Sequence, residues 1–303
     1  MNKNRTIIPY TSASLDKLDA GSIIAYPRNN RGGQRYYAVP SFLIIGAAKC
    51  GTREMLIWLN QHPNLRAMPK EVNFFDEVLD IEKEWPRYVL NPHFLLSKDR
   101  EHCLASNLHT FEKTPAYFNR NNQGGDVPEL IKKMMPSGKF IVLLRNPVDR
   151  AYSAFQMGKR RQPVRAPRIP EELTFDDYVK HFTDASRSNS HVLTTGHYAK
   201  HFKRWFKYFA RNQLFIIIME TFKKSPFTIM EQLQYFLEIP VFDYVTIAEK
   251  GPRDFWVIKG EPSKAYQPLY PPMSSQARQL LNDYYAPHNQ ELKSMFPEID
   301  FPW

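Results

Sequence analysis

Two short segments carry residues whose types and spacing suit chemistry on anions. The first is Gly46-Ala47-Ala48-Lys49-Cys50-Gly51-Thr52-Arg53. Small residues there let backbone come close to a ligand, and successive N–H groups at a helix start cradle negative charge. Thr52 adds a hydroxyl donor, and Lys49 adds a point charge. The second is Arg145-Asn146-Pro147 followed by Asp149, Arg150 and Ser153. An arginine leaving a strand can grip a phosphate through paired hydrogen bonds. Ser153 lies two turns into the next helix, three residues after Arg150 and on its face.

The Gly46 to Gly51-Thr52 spacing approaches the P-loop pattern, which needs Lys directly after the second glycine. Here Lys49 precedes that glycine and Arg53 follows Thr52. A P-loop kinase or NTPase also needs an acidic Mg²⁺ ligand ending a strand, and no such pattern stands out. That reading is the alternative from another class of chemistry.

Local elements must hold these residues. Residues 42–46 (FLIIG) and 139–144 (KFIVLL) are continuous apolar runs, expected as buried strands. TREMLIWLNQH after the first run has an apolar helical face and stops at Pro63. After the second run, Asn146 caps, Pro147 opens and Asp149 favours the start of a helix through RAYSAFQM. A third strand is expected at 213–219 and a helix near 226–238. Strands alternating with helices predict an α/β, P-loop-like three-layer fold, a central parallel sheet flanked by helices. Ligands in such folds sit beyond the carboxyl ends of the strands, where both segments fall. Residues 1–38 are polar and punctuated and are expected as an N-terminal arm or lead-in, with one domain over 39–303. The basic, Pro-rich stretch 158–170 is expected as a loop. In the segment 196–209, Tyr198, Phe202, Trp205 and Phe209 follow helical spacing and are expected in the core, with Lys200, Lys203, Arg204 and Lys207 solvated.

PSFLIIGAAKCGTREMLIWLNQHPNLR resembles the 5′-phosphosulfate loop of sulfotransferases that use 3′-phosphoadenosine 5′-phosphosulfate (PAPS). It is most similar to the heparan sulfate glucosaminyl 3-O- and N-sulfotransferases. The resemblance implies that Lys49, Cys50, Gly51, Thr52 and Arg53 bind the 5′ end of PAPS. IVLLRNPVDRAYSAF is similar to the family's 3′-phosphate motif, which gives that phosphate to Arg145 and Ser153. KEVNFFDE resembles the block carrying the catalytic base, implied to be Glu71. EKTPAYF resembles the block carrying a catalytic lysine, implied to be Lys113. Lys49 and Lys113 would then balance charge on the leaving oxygen. The 3-O enzymes have His where this chain has Asn73, whereas the N-sulfotransferases carry an amide, so Asn73 tilts the expectation toward N-transfer. Asn73 and Asp76 are expected to face the acceptor.

The family's disulfide-closed cofactor loop has no counterpart in KGEPSKAYQPLYPPM, where Lys259 or Lys264 is expected to take its place. That departure fits a reducing compartment or a looser loop. The implied reaction moves the sulfuryl group of PAPS to a hydroxyl or amine of a carbohydrate and releases PAP, without a metal. The alternative acceptor is a small alcohol, phenol or amine.

The 303 residues carry 41 Lys and Arg against 31 Asp and Glu, a net charge of +10. That balance concentrates anionic partners. Arg160 and Arg161 in the basic stretch are expected to steer an anionic acceptor. No nucleic-acid motif accompanies the charge, so a nucleic-acid binder is not the reading. Cys50 and Cys103 are the only cysteines, which excludes a disulfide-built fold. His197 and His201, four apart, lack the Glu that HExxH requires. No apolar run reaches membrane-span length and no signal-peptide core is present. The chain is expected to be soluble, cytoplasmic as it stands, or Golgi-luminal if an N-terminal anchor has been removed.

Overall fold

A computed structural model describes residues 7–27, 33–98, 100–105, 107–160, 169–170, 172–184, 190–263 and 270–303. Its strands are β1 (Ile7–Pro9), β2 (Ile23–Pro27), β3 (Gln34–Ala38), β4 (Phe42–Gly46), β5 (Leu65–Ala67), β6 (Leu95–Ser97), β7 (His109–Lys113), β8 (Lys139–Leu144), β9 (Leu214–Ile218), β10 (Ala248–Lys250) and β11 (Trp256–Ile258).

The central sheet has five strands in the order β5-β7-β4-β8-β9, every pair parallel. Its middle strands are apolar from end to end because helices cover both faces: Phe42 to Ile45 and Phe140 to Leu144 are each at most 1% exposed. The chain leaves β4 for β5 and β7 on one side and builds β8 and β9 on the other. β4 is therefore the switch point, and the crevice beyond its carboxyl end is where such a sheet receives a ligand. The loop after β4 enters helix Thr52–Leu59, and β8 leads into helix Pro147–Arg160.

Two hydrogen bonds shape that end of the sheet. The Ala47 amide donates to the Leu143 carbonyl at 2.8 Å, extending the β4–β8 contact into the loop. The Phe118 amide donates to Ile45 at 2.9 Å, and a Cβ on Gly46 would lie 2.4 Å from the Phe118 Cβ. Only glycine lets the segment after β7 cross so closely.

The expected lead-in is more ordered than its composition suggested. β1, β2 and β3 join β6 in a second sheet, β1-β2-β3-β6, with Ile23, Ala25, Tyr36, Ala38, Leu96 and Cys103 as its own small core. The Thr110 hydroxyl on β7 donates to the Ala38 carbonyl at 3.1 Å, fastening this sheet to the central one. Its strands are three to five residues long, too short to show alternation beside polar turns.

Candidate active site

Adjacent strands deliver three of the sequence-selected segments to one edge. Ile44 of β4 is in register with Lys113 of β7 and with Ile141 of β8. Lys113, the Ala47–Gly51 loop and Arg145 therefore leave neighbouring strand ends, spaced at about 4.8 Å per strand.

The loop turns through two left-handed residues, Lys49 at φ 72° and Gly51 at φ 88°. Gly51 is the N-cap of helix Thr52–Leu59 and supplies no side-chain cap. The first intrahelical bond runs from the Met55 amide to Gly51, so the amides of Thr52, Arg53 and Glu54 lack an intrahelical acceptor. Thr52 is buried and Arg53 exposed. The Cys50 amide turns inward to the Ala47 carbonyl at 3.1 Å. Burial pushes the Cys50 thiol up to about 11, so it is a neutral packing group rather than a nucleophile.

Tyr198 joins the loop after β4 to the turn after β8. Its hydroxyl donates to the Arg145 carbonyl at 2.8 Å and lies 3.4 Å from Cys50 Sγ. The Lys49 ammonium makes a second link, donating to Met157 Sδ at 3.5 Å on helix Pro147–Arg160. Arg145 and Ser153 are half-buried. Arg150 is 1% exposed and donates to the Val192 carbonyl, so it braces the helix from below. The Asn146 amide donates to Glu220 Oε1 at 3.0 Å, fixing the turn after Arg145.

Glu71 and Lys113 meet across the chain, with Lys113 Nζ 2.5 Å from Glu71 Oε1. The Lys113 side chain is 10% exposed and that of Glu71 48%. One partner is thus rooted in the sheet while the other is half exposed. Asn73, at φ 53°, caps the short helix Phe74–Glu77. Asp76 on that helix is buried, with Oδ2 3.5 Å from Arg120 and Oδ1 unpartnered. Burial raises its carboxyl above the ordinary range despite Arg120.

Other expected site residues make contacts of their own. The helix after β8 continues through Arg160, where a loop was expected, and the Arg160 guanidinium lies 4.6 Å over the Tyr270 ring. Gly158 does not end the helix, because its missing side chain admits Ile169, whose Cδ1 would sit 2.7 Å from a Cβ. The Lys259 ammonium follows the β10–β11 hairpin and donates to the Thr246 carbonyl at 2.9 Å. Ser263, further along, reaches helix Thr52–Leu59, its hydroxyl donating to Glu54 at 2.8 Å. Arg161 and Lys264 lie outside the described residues.

Helix Tyr198–Trp205 buries Tyr198, Phe202 and Trp205 as its spacing predicted, and Phe209 just beyond it is buried too. Arg204 is not solvated. It donates to Asn121 Oδ1 and to the Tyr117 and Arg120 carbonyls at 2.8 to 3.0 Å. Burial holds His197 and His201 near 3 and neutral. Among the described residues no three His, Cys, Asp or Glu side chains gather as metal ligands, and no helix is long and apolar enough to cross a membrane.

The arrangement fits a ligand with phosphate at both ends. The loop with Lys49 and Arg53 and the turn with Arg145 leave neighbouring strands, and the Tyr198 hydroxyl touches both segments at the Arg145 carbonyl and Cys50 Sγ. The linking hydroxyl was not legible in the sequence, since Tyr198 has the spacing of a core residue. Glu112, Thr114 and Tyr117 were likewise not singled out, although they flank Lys113.

Comparison with known proteins gives a consistent picture. The sulfotransferase domain family pattern matches residues 40–251. The bifunctional heparan sulfate N-deacetylase/N-sulfotransferase 4 of Mus musculus is 28% identical over 274 residues, covering 87% of this chain and 30% of that protein. The bifunctional heparan sulfate N-deacetylase/N-sulfotransferase 3 of Homo sapiens is 28% identical over 288 residues, with the same coverage of 87% and 30%. This chain thus spans about a third of the length of those relatives. A sulfotransferase from Alicyclobacillus acidocaldarius has a similar fold, with TM-score 0.60, 22% identity, and coverage of 86% of this chain and 97% of that one.

Proposed function

This chain belongs to the sulfotransferase domain family, and from that premise we propose that it moves the sulfuryl group of PAPS to a glucosamine amine or hydroxyl of a heparan-sulfate-type glycan. The reacting unit is proposed to span residues 39–303. The observation that carries the reading is the Glu71–Lys113 pair at 2.5 Å, beside a phosphate loop that Tyr198 ties to Arg145.

When bound, PAPS supplies an activated sulfuryl group whose leaving group is a phosphate oxygen. The amides of Thr52 and Arg53 and the side chains of Lys49, Thr52 and Arg53 hold the 5′ phosphate. Arg145 and Ser153 hold the 3′ phosphate, and this second grip distinguishes the nucleotide from a triphosphate. Glu71 takes the proton from the acceptor N–H or O–H as the new bond to sulfur forms. Lys113 aims the Glu71 carboxylate beforehand. Lys49 and Lys113 offset the negative charge that grows on the leaving oxygen. Asn73 and Asp76, on the segment that carries Glu71, orient the acceptor. The Asn73 amide and the likeness to heparan sulfate N-deacetylase/N-sulfotransferases favour the amine over the hydroxyl.

The test is a panel of acceptors incubated with PAPS and read by the mass of one added sulfuryl group. De-N-acetylated glucosamine oligosaccharides should react. If only small phenols, alcohols or amines do, the glycan assignment is overturned. Absence of calorimetric binding to 3′,5′-bisphosphoadenosine would overturn PAPS as donor.

A further inference from the structure

Glu112 lies on β7 beside Lys113 and is 0% exposed. Its carboxylate accepts three hydroxyl hydrogens. Oε1 takes those of Tyr88 at 2.8 Å and Tyr117 at 3.1 Å, and Oε2 takes that of Thr114 at 3.0 Å. A hydroxyl has one hydrogen, so once that hydrogen points at Glu112 the oxygen's lone pairs face the other way. Thr114 Oγ1 accepts the amides of Val72 at 3.1 Å and Asn73 at 3.4 Å. The Tyr117 oxygen accepts the amides of Phe74 at 3.0 Å and Phe75 at 3.4 Å. Four successive amides directly after Glu71 therefore end on two hydroxyls whose polarity one buried carboxylate sets. The turn they hold includes Asn73 in the left-handed region, a conformation that asparagine tolerates better than most non-glycine residues.

We propose that Glu112 is the positioning residue of this active site: through Thr114 and Tyr117 it fixes the backbone of residues 72–75 and so aims the Glu71 carboxylate at Lys113 and the acceptor. The inference rests on the sulfotransferase reading for its catalytic consequence, but the hydrogen-bond relay stands on geometry alone. The same strand thus supplies both restraints on Glu71, with Lys113 holding its carboxylate and Glu112 its main chain. An ionised carboxylate is the one side chain that accepts from three hydroxyls without donating. Glutamine keeps the shape but turns an NH₂ toward one of them. That reverses the hydroxyl and withdraws a lone pair from the 72–75 amides.

The experiment compares the full chain with Glu112→Gln, Thr114→Val, Thr114→Ser and Tyr117→Phe at pH 8, where the Glu112 carboxyl, pushed up to about 7 by burial, is ionised. Hydrogen exchange at the amides of residues 72–75 should accelerate about tenfold in Glu112→Gln and Thr114→Val. In the same variants kcat should fall by up to about 10²-fold, the scale of a displaced catalytic group. KM for PAPS and affinity for 3′,5′-bisphosphoadenosine should hold within about twofold. Thr114→Ser restores the hydroxyl and should restore kcat. Unchanged exchange at 72–75 overturns the relay, and so does nucleotide affinity that falls in step with kcat, which would mark general loosening. Should Glu112→Gln not fold, Thr114→Val against Thr114→Ser and Tyr117→Phe decide the matter alone. If the unaltered chain sulfates no acceptor, the functional reading fails, and the exchange rates still uphold or overturn the hold on residues 72–75.

Discussion

The Glu71–Lys113 pair joins a half-exposed carboxylate to a nearly buried ammonium. An isolated surface pair is worth little, but here one member is immobilised by the sheet, so the pair works as an aiming device. Glu71→Gln removes the proton acceptor and leaves every phosphate contact in place. Turnover is expected to fall by about 10²- to 10⁴-fold, with calorimetric affinity for 3′,5′-bisphosphoadenosine unchanged. Normal turnover in that variant would mean another group takes the proton. Glu112 makes a different residue-scale prediction, one about stability. Burial outweighs its three hydroxyl donors and raises its carboxyl from 4.5 to about 7. The folded chain therefore binds this proton more tightly than the unfolded chain does. The stabilisation is fully present below about pH 4.5 and is lost as pH rises through about 7. It amounts to something on the order of 3 kcal/mol. Denaturant titrations from pH 4.5 to 8 should show this decline in the parent and not in Glu112→Gln. Equal pH dependence in the two chains would refute the assignment.

At the scale of elements, what the sequence revealed depended on burial and length. The runs at 42–46, 139–144 and 213–219 appear as β4, β8 and β9, the last as Leu214–Ile218, because strands covered on both faces must be apolar throughout. The loop after β4 and the Arg145 turn after β8 were placed by the sequence because each follows such a strand. The second sheet was hidden because its strands are only three to five residues long and stand among polar turns. Gly158 has two conflicting signals, helix breaking and close packing, and the approach of Ile169 decides for packing. Hydroxyl relays were invisible for another reason: Tyr88, Tyr117 and Tyr198 satisfy the apolar pattern with their rings, and only the fold shows what their oxygens touch. The junction of β4's loop with helix Thr52–Leu59 carries its own prediction. Gly51 has φ 88°, and a Cβ there would lie 2.5 Å from Met219 Sδ. Gly51→Ala should cost about 1–2 kcal/mol of stability from backbone strain. It should also weaken 3′,5′-bisphosphoadenosine binding about tenfold, the equivalent of about 1.4 kcal/mol, as the helix amides shift off the phosphate. Unaltered nucleotide affinity would separate the loop from phosphate binding.

For the whole molecule the governing quantity is charge. The chain carries +10, and part of that positive charge stands at the sheet's carboxyl edge in Lys49, Arg53, Lys113 and Arg145. Some cations elsewhere are already engaged, as with Arg204 among three acceptors and Arg160 over Tyr270. A long polyanionic acceptor feels the remaining field over many residues, whereas a small neutral acceptor feels only the pocket. Exposed charges more than about 8 Å apart are largely screened at physiological ionic strength. Raising salt from about 0.05 to 0.5 M should therefore raise KM for a heparan-type oligosaccharide at least about tenfold, chiefly through slower association. KM for an uncharged amine or alcohol acceptor should change less than about twofold. The nucleotide, with two phosphate-bearing ends and a proposed seat at the loop after β4, should show an intermediate loss. Steady-state kinetics over that salt range check all three together. A glycan KM indifferent to salt would leave the positive charge without a role in acceptor recognition, because attraction across a hydrated crevice cannot escape screening by the ions that fill it.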